Sequence, residues 1–184
     1  MHESERLTRL INNVLDLSKI ESGAAEWLLS DVDLCQLVPE AVAVTGQLFH
    51  DNGIVLTVDL PSHLPEIVVD RDRIMQVLVN LLSNASKYGR TQATVTVTQS
   101  ADFITISVED DGVGIDAADF DAVFERFKRV RTPNEGNPTG TGLGLPISRH
   151  IIEHFGGELW VESDVGQGAT FYFTLPYTTE QEFA

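Results

Sequence analysis

The segment DRIMQVLVNLLSNASKYG, residues 72–89, decides the fold because it joins a buried helix face to a row of polar side chains. Asp70, just before it, is a favourable N-cap, so the pattern predicts a helix over residues 71–87. One apolar stripe recurs at helical spacing and faces a core: Ile74, Val77, Leu78, Leu81, Leu82 and Ala85. A polar row follows the flank of that stripe: Arg73, Asn80, Asn84 and Lys87.

Two asparagines in this helix require an explanation. Asparagine is unfavourable inside a helix because its side chain competes for backbone hydrogen bonds. Asn80 and Asn84 lie one turn apart beside the buried face. They either hydrogen-bond neighbouring loops or bind a ligand, since amide oxygens suit Mg²⁺ when a triphosphate supplies the negative charge. The pattern alone leaves both interpretations open.

Two glycine-rich segments follow. Asp110-Asp111-Gly112-Val113-Gly114 comes directly after a predicted strand, where a carboxylate could accept from an exocyclic amino group such as that of adenine. Gly140-Thr141-Gly142-Leu143-Gly144-Leu145 runs from a loop into a helix, where free N–H groups and the helix dipole favour phosphate. Each is weak by itself, because Asp-Gly pairs are common in turns and the second run lacks the strand that precedes a dinucleotide fingerprint.

The remaining pattern predicts an α+β fold: a two-layer sandwich whose mixed sheet is covered on one face by helices, with an additional N-terminal helix. Residues 128–141 show no periodicity and are predicted to form a loop. The predicted helices cover residues 4–21, 34–50, 71–87, 117–124 and 144–155. The predicted strands cover residues 26–33, 54–60, 67–69, 93–98, 103–109, 158–163 and 169–175.

The N-terminal helix has two interpretations. Leu7, Leu10, Val14 and Leu17 fit the a and d positions of about two heptads, which indicates a helical hairpin or coiled-coil seam. An amphipathic helix lying on its own domain fits the same pattern.

The charge balance argues against nucleic acid as a partner. The 184 residues include 28 acidic and 12 basic side chains, a formal net charge of -16, whereas nucleic acid binding needs Lys and Arg to neutralise phosphates. One basic cluster is either a solvated loop or a site for a polyanion: Arg126, Lys128, Arg129 and Arg131. The lone Cys35 and the lack of a run of about 20 apolar residues favour a cytoplasmic chain, whose longer parent could be membrane-anchored.

A rival motif lies at His150-Ile151-Ile152-Glu153-His154, which matches the H-x-x-E-H signature of inverted zinc peptidases. A zinc site needs a third protein ligand, and no downstream residue is distinguished as one. Two polar positions on an amphipathic helix explain the same residues.

Taken in order, these segments resemble the catalytic module of bacterial sensor histidine kinases, which is similar to the ATP-binding domains of gyrase-type ATPases and heat-shock chaperones. DRIMQVLVNLLSNASKYG resembles the N box, VEDDGVGI the first glycine box, VFERFKRV the F box and GTGLGL the second glycine box. GGELWVESDVGQGATFYFTLP resembles the closing strands. RLTRLINNVLDLSKIESG, residues 6–23, resembles the second helix of the dimerisation and phosphoacceptor hairpin.

The resemblance implies a role for individual residues. Asp110 would read the adenine amino group, Tyr88 would line the pocket, and Thr170 would assist adenine through water. Asn84 would hold Mg²⁺ with support from Asn80, while Lys87 and Arg129 would reach the phosphates. Residues 128–141 would form the ATP lid, with Phe124 and Phe127 at its base. The remaining nucleotide-binding positions are the two glycine boxes: Gly112, Gly114, Gly140, Thr141, Gly142, Leu143, Gly144 and Leu145.

The resemblance also implies an activity and a division of the chain. Residues 1–23 would be a partial hairpin, 24–176 the ATP-binding domain and 177–184 a tail. The domain would bind ATP and Mg²⁺ and transfer the γ-phosphoryl group to a histidine on a hairpin helix that this sequence lacks, so the chain alone should not phosphorylate itself. Its partners would be that phosphoacceptor helix, a response-regulator receiver domain and a second copy through the N-terminal helix. An anti-sigma-type serine/threonine kinase and a non-catalytic nucleotide-binding module share the same boxes.

Overall fold

The architecture is taken from a computed structural model that describes residues 2–128 and 141–177, apart from the side chains of residues 2–6, 9 and 21. In chain order the helices are α1 (His2–Glu21), α2 (Leu34–Asp51), α3 (Arg71–Tyr88) and α4 (Gly144–His154). The strands are β1 (Leu29–Val32), β2 (Val55–Asp59), β3 (Ile67–Asp70), β4 (Gln92–Gln99), β5 (Phe103–Asp110), β6 (Leu159–Asp164) and β7 (Gly168–Pro176).

A five-stranded mixed sheet in the order β2-β4-β5-β7-β6 forms the centre of the fold. β2 runs parallel to β4, and the other neighbours are antiparallel. β1 and β3 form a separate antiparallel pair that leads into α3. The predicted α+β class, with helices packed on a mixed sheet and an added N-terminal helix, is confirmed.

One face of the sheet is covered and the other is open. Along β5, Ile104, Ile106 and Val108 are buried, and they alternate with half-buried polar residues. Helix α3 covers this face with its predicted stripe, in which Leu78 and Leu81 are almost fully buried. Because side chains alternate along a strand, β4, β5 and β7 contribute every second residue to the core.

Helix α3 begins where the sequence predicts. The side chain of Asp70 accepts hydrogen bonds from the backbone N–H groups of Asp72 and Arg73, as an N-cap should. The same carboxylate accepts from the backbone N–H of Leu28 at 2.9 Å, which ties the segment before β1 to the start of the helix.

Two predicted elements differ from the structure. Residues 117–124 form two short 3₁₀ turns, Ala117–Asp119 and Ala122–Phe124, instead of one α-helix. Asp116 caps the first turn, but an eight-residue segment has little helical stability of its own and follows the surface on which it packs. The strand predicted at 26–33 begins only at Leu29, because pairing with β3 extends no further.

Helix α1 lies against the domain, and only part of the predicted heptad seam is buried there. Leu17 is buried and Ile20 packs on the core, whereas Leu7 and Val14 stay 59% and 40% exposed. The interpretation of α1 as a helix lying on its own domain therefore accounts for its C-terminal half. No helix in the described ranges is long and apolar enough to cross a bilayer.

Candidate nucleotide-binding site

The site begins at Asp110, the last residue of β5. Its side chain lies on the helix-covered face and is only 6% exposed. One carboxylate oxygen, Oδ1, accepts from the backbone N–H of Gly112 at 2.9 Å. Burial raises the pKa of Asp110 to about 6, against the opposing effect of hydrogen bonds from Gly112 and Ala169. A buried carboxylate held with few partners is suited to accept from a ligand donor.

The chain after Asp110 passes very close to the end of α3. A Cβ atom on Gly112 would lie 2.1 Å from the carbonyl oxygen of Tyr88 and 2.6 Å from Asp110 Oδ1. Gly114 adopts φ +71°, and its Cβ would meet the carbonyl of Asp164. Backbone packing alone therefore requires glycine at both predicted positions.

Asn80 and Asn84 have different surroundings. Asn80 Nδ2 donates to Ser148 Oγ at 3.0 Å, and its Oδ1 lies 2.1 Å from the position that a Cβ on Gly144 would occupy, so Asn80 joins α3 to the start of α4. Asn84 is half-buried, and its side chain makes no hydrogen bond within the described residues. The hydrogen-bonding interpretation thus holds for Asn80, and Asn84 keeps its amide oxygen available to a ligand.

Lys87 and Tyr88 form the end of α3, next to the backbone of Gly112. Lys87 Nζ donates to Tyr88 Oη at 2.6 Å and lies 4.3 Å from the centre of the Tyr88 ring. Within the described part of the chain Lys87 forms no ion pair, so its partner there is neutral. A cation with a neutral partner remains able to bind an anion.

The second glycine-rich segment enters α4 at Gly144. Thr141 Oγ1 accepts from the backbone N–H of Leu143, and Gly142 adopts φ +68° with its carbonyl bound by the N–H of Phe127 at 2.9 Å. Leu143 is fully buried and Leu145 packs on the core, so any ligand contact from these two would come from the backbone. Two predicted site residues, Arg129 and Gly140, lie outside the described residues, as do 129–140 of the predicted loop and 178–184 of the predicted tail.

The base of the predicted lid has one anchored aromatic residue and one exposed one. Phe124 packs edge-to-face on Phe171 at 6.4 Å, and the guanidinium of Arg149 lies 4.7 Å from the Phe124 ring centre. Phe127 is 61% exposed and has φ +58°, and its backbone N–H donates to the Gly142 carbonyl. Lys128 of the basic cluster pairs with Glu125 at 3.0 Å.

Thr170 does not join the other site residues. It pairs with Glu109 of β5, on the open face of the sheet, whereas its neighbour Ala169 pairs with Asp110. Because adjacent residues of a strand point to opposite faces, the Thr170 hydroxyl lies across the sheet from the Asp110 carboxylate. The residue of β7 on the same face as Asp110 is Ala169, one position before Thr170.

Asp111 has a structural role that the sequence analysis missed. Its carboxylate accepts from the backbone N–H groups of Arg90 and Thr91 at 2.8 and 3.0 Å, and from the Thr91 hydroxyl. Burial alone would raise the pKa of Asp111, but the hydrogen bonds from Thr91 and Arg90 hold it well below its ordinary value. The alternation of β5 beyond Asp110 is the signal that could have separated these two aspartates.

The two histidines of the alternative zinc motif contact protein groups rather than each other. His150 Nδ1 lies 2.8 Å from the carbonyl oxygen of Pro146, one turn earlier in α4. His154 stacks on Trp27 with ring centres 3.8 Å apart. No group of three His, Cys, Asp or Glu side chains that could hold a metal ion occurs in the part of the chain that the structure describes. The zinc peptidase interpretation finds no third ligand there.

Comparison with known proteins agrees with this geometry. Residues 69–179 match the family model described as histidine kinase-, DNA gyrase B-, and HSP90-like ATPase. The chain is 36% identical to the sensor histidine kinase WalK of Bacillus subtilis, covering 98% of this chain and 30% of WalK. It is 35% identical to the circadian input-output histidine kinase CikA of Synechococcus elongatus, covering 97% of this chain and 24% of CikA. The chain thus spans a third or less of these relatives.

Solved structures show the same fold. Full-length ShkA in complex with AMPPNP superimposes with a TM-score of 0.86 at 29% identity, over 97% of this chain and 37% of ShkA. The Acinetobacter baumannii histidine kinase AdeS has a TM-score of 0.80 at 22% identity, over 97% of this chain and 82% of that chain, a likeness of fold alone. The match to ShkA includes α1, because it extends over nearly the whole chain.

Proposed function

Because this chain belongs to the histidine kinase-, DNA gyrase B-, and HSP90-like ATPase family, we propose that it is the catalytic domain of a sensor histidine kinase. It binds ATP with Mg²⁺ and transfers the γ-phosphoryl group to a histidine on a phosphoacceptor helix. A receiver-domain aspartate of a response regulator then accepts that group.

The observation that carries this proposal is the buried Asp110 carboxylate beside the tightly packed Gly112 backbone. Adenine presents an exocyclic amino group, and a carboxylate with free acceptor capacity in a dry site is its natural partner. The end of α3, with Tyr88 and Lys87, borders the same backbone. The N-terminus of α4 presents backbone N–H groups toward which phosphates would extend.

The residues fit a magnesium nucleotide. Asn84 is half-buried and its amide is uncommitted within the described residues. Mg²⁺ accepts neutral oxygen ligands when the phosphates supply the charge. Asn84 would hold the ion and Lys87 would neutralise phosphate, while Asn80, bound to Ser148, keeps α3 and α4 in place.

Transfer is favoured over hydrolysis by the residue at position 80. The resemblance to gyrase-type ATPases implies a comparison at this position: those proteins have a glutamate that activates water four residues before the metal-binding asparagine, where this chain has Asn80. Asn80 is no base, and phosphoryl transfer depends chiefly on positioning and charge neutralisation. The site therefore positions ATP but has no base at position 80 to activate a water molecule for hydrolysis.

The N-terminal helix belongs, in this proposal, to a dimerisation hairpin. A stripe on α1 stays exposed, with Leu7, Ile11 and Leu15 at 59%, 48% and 54%. Residues 1–23 would contribute this stripe to a first hairpin helix and to a second copy, residues 24–176 would bind the nucleotide, and residues 177–184 would be a tail. His2-Glu3 has the histidine and the following acid of the family's acceptor box but lacks its Arg-Thr-Pro turn, so the chain alone is expected not to label itself.

The test is phosphoryl transfer from radioactive ATP to a separately supplied phosphoacceptor hairpin from a sensor histidine kinase. We expect acid-labile label on the hairpin, none on this chain, and no transfer with Asp110→Asn. An acid-stable product would favour a serine/threonine kinase instead. Intact nucleotide binding without transfer to any hairpin would favour a non-catalytic module.

The magnesium assignment has its own test. Asn84→Ala should remove most of the Mg²⁺ dependence of AMPPNP affinity, about tenfold, because one oxygen ligand is lost. Ser83→Ala, the preceding half-buried position on α3, is the matched control and should keep that dependence. Equal Mg²⁺ dependence in both variants would contradict the assignment of Asn84.

A further inference from the structure

Helix α1 contacts the second glycine-rich segment directly. Asn13 is half-buried, and its Nδ2 donates to Thr141 Oγ1 at 3.3 Å, across 128 residues of sequence. The same hydroxyl oxygen accepts from the backbone N–H of Leu143, also at 3.3 Å. Thr141 is thus held from one side by α1 and from the other by the backbone that begins α4.

This arrangement fixes the direction of the Thr141 proton. A hydroxyl has two acceptor lone pairs and one donor hydrogen. Asn13 and Leu143 both donate to the oxygen, so the only remaining role of the hydroxyl is to donate. Phosphate oxygens only accept, and the N-terminus of a helix is where phosphate is favoured.

An ion pair holds α1 in the position that this contact needs. Asp16, one turn after Asn13, pairs with Arg73 of α3 at 2.9 Å, and the two side chains are only 28% and 20% exposed. Gln76 Nε2 donates to the same carboxylate at 3.2 Å. Leu17 is buried beside them, so the helix is fixed by packing as well as by charge.

We propose that Asn13 is a positioning residue of the nucleotide site, which holds the Thr141 hydroxyl as a donor to a nucleotide phosphate. The inference rests on the proposed function, since it adds a residue of α1 to that same site. It makes nucleotide affinity depend on where α1 lies, and by linkage a bound nucleotide stabilises the docked position of α1 to the same extent.

The test is calorimetric titration of the full chain with AMPPNP and Mg²⁺. Asn13→Ala should weaken binding about fivefold, the effect of losing one neutral hydrogen bond. Asn12→Ala is the matched control, because Asn12 is the adjacent residue of the same type and is exposed on α1; its affinity should equal that of the wild type. Equal affinity of Asn13→Ala and Asn12→Ala would overturn the inference and leave the proposed function intact.

Two further variants distinguish positioning from a general effect on folding. In a Thr141→Val background, Asn13→Ala should have no further effect, whereas additive losses would overturn the inference. Asn13→Asp keeps the shape of the side chain but accepts where asparagine donates, so it should weaken binding by about tenfold or more with an unchanged thermal melt. Wild-type affinity in Asn13→Asp would contradict the inference. A wild-type chain that binds no nucleotide would overturn the proposed function together with it.

Discussion

The two faces of the five-stranded sheet use neighbouring residues in opposite ways. On the helix-covered face β5 ends at Asp110, whose burial raises its pKa to about 6. The next residue, Asp111, turns outward and has a lowered pKa because Thr91 and Arg90 donate hydrogen bonds to it. The two carboxylates have the same chemistry, and the face on which each lies decides which one is available to a ligand.

The same contrast applies to β7. Ala169 pairs with Asp110 on the covered face, and Thr170 pairs with Glu109 on the open face. The open face also carries the stacked pair Trp160 and Tyr172, with ring centres 5.1 Å apart. Because the proposed nucleotide site lies on the covered face, substitutions on the two faces should separate nucleotide binding from stability.

The largest expected effect is on the covered face at Gly112. Gly112→Ala would place a Cβ 2.1 Å from the Tyr88 carbonyl, so the chain after β5 must move away from α3. We expect a loss of about 3 kcal/mol in the free energy of unfolding and no measurable AMPPNP binding. Chemical denaturation and calorimetry measure the two effects.

Gly46→Ala, within α2, is the control for this substitution. No atom lies within 4 Å of the position that its Cβ would occupy, so alanine should stabilise the helix by up to about 1 kcal/mol. Equal stability of the Gly112 and Gly46 variants would contradict the close approach at Gly112.

The second effect concerns the charge of Asp110. Its folded-state pKa lies above the ordinary value of 3.8, so the unfolded chain binds fewer protons between the two values and stability falls as pH rises through that range. Above about pH 6 the buried carboxylate is charged, and this lowers the free energy of unfolding by about 2–3 kcal/mol, at 1.36 kcal/mol per pKa unit. Asp110→Asn should therefore be more stable than the wild type at about pH 8, and the difference should disappear below about pH 4. Urea denaturation at several pH values checks this, and a pH-independent difference would contradict the buried charge.

The third prediction concerns Asp111, where a substitution should lower stability but leave nucleotide affinity nearly unchanged. Asp111→Ala removes the acceptor for Arg90 and Thr91, so we expect a loss of about 1–2 kcal/mol in stability with AMPPNP affinity within about twofold of the wild type. A large loss of affinity in a folded Asp111→Ala protein would place this carboxylate in the site and remove the distinction between the faces.

The smallest effect is expected at Thr170. Thr170→Val should leave AMPPNP affinity unchanged, because the hydroxyl lies across the sheet from Asp110. A tenfold loss measured by calorimetry would show that the hydroxyl reaches the nucleotide and that the assignment of the faces at β7 is wrong.

The sequence predicted the parts of the fold that local rules govern. The Asp70 cap, the apolar stripe of α3 and the paired strands β4 and β5 follow from periodicity and capping, and they lie where they were expected. The short segment at 117–124 does not form the predicted helix, because its own helical tendency is weaker than its packing on the sheet and α4.

For the candidate site, the sequence singled out Asp110 and the glycines, but it could not predict their three-dimensional neighbours. The contact from Asn13 to Thr141 spans 128 residues, and no local pattern could predict it. Leu143 was expected at the nucleotide because it lies within a glycine run, yet it is fully buried. Thr170 was expected beside adenine, but it lies on the sheet face opposite Asp110, because neighbouring residues of a strand point to opposite faces.

Calorimetric titration with AMPPNP and Mg²⁺ on the wild type, Asp110→Asn and Asp111→Asn tests the central claim most directly. The account predicts binding in the wild type, its loss in Asp110→Asn although that protein remains folded, and its retention in Asp111→Asn. Equal binding by all three proteins, or loss of binding with Asp111→Asn alone, would contradict the claim that the covered face of the sheet forms the nucleotide site.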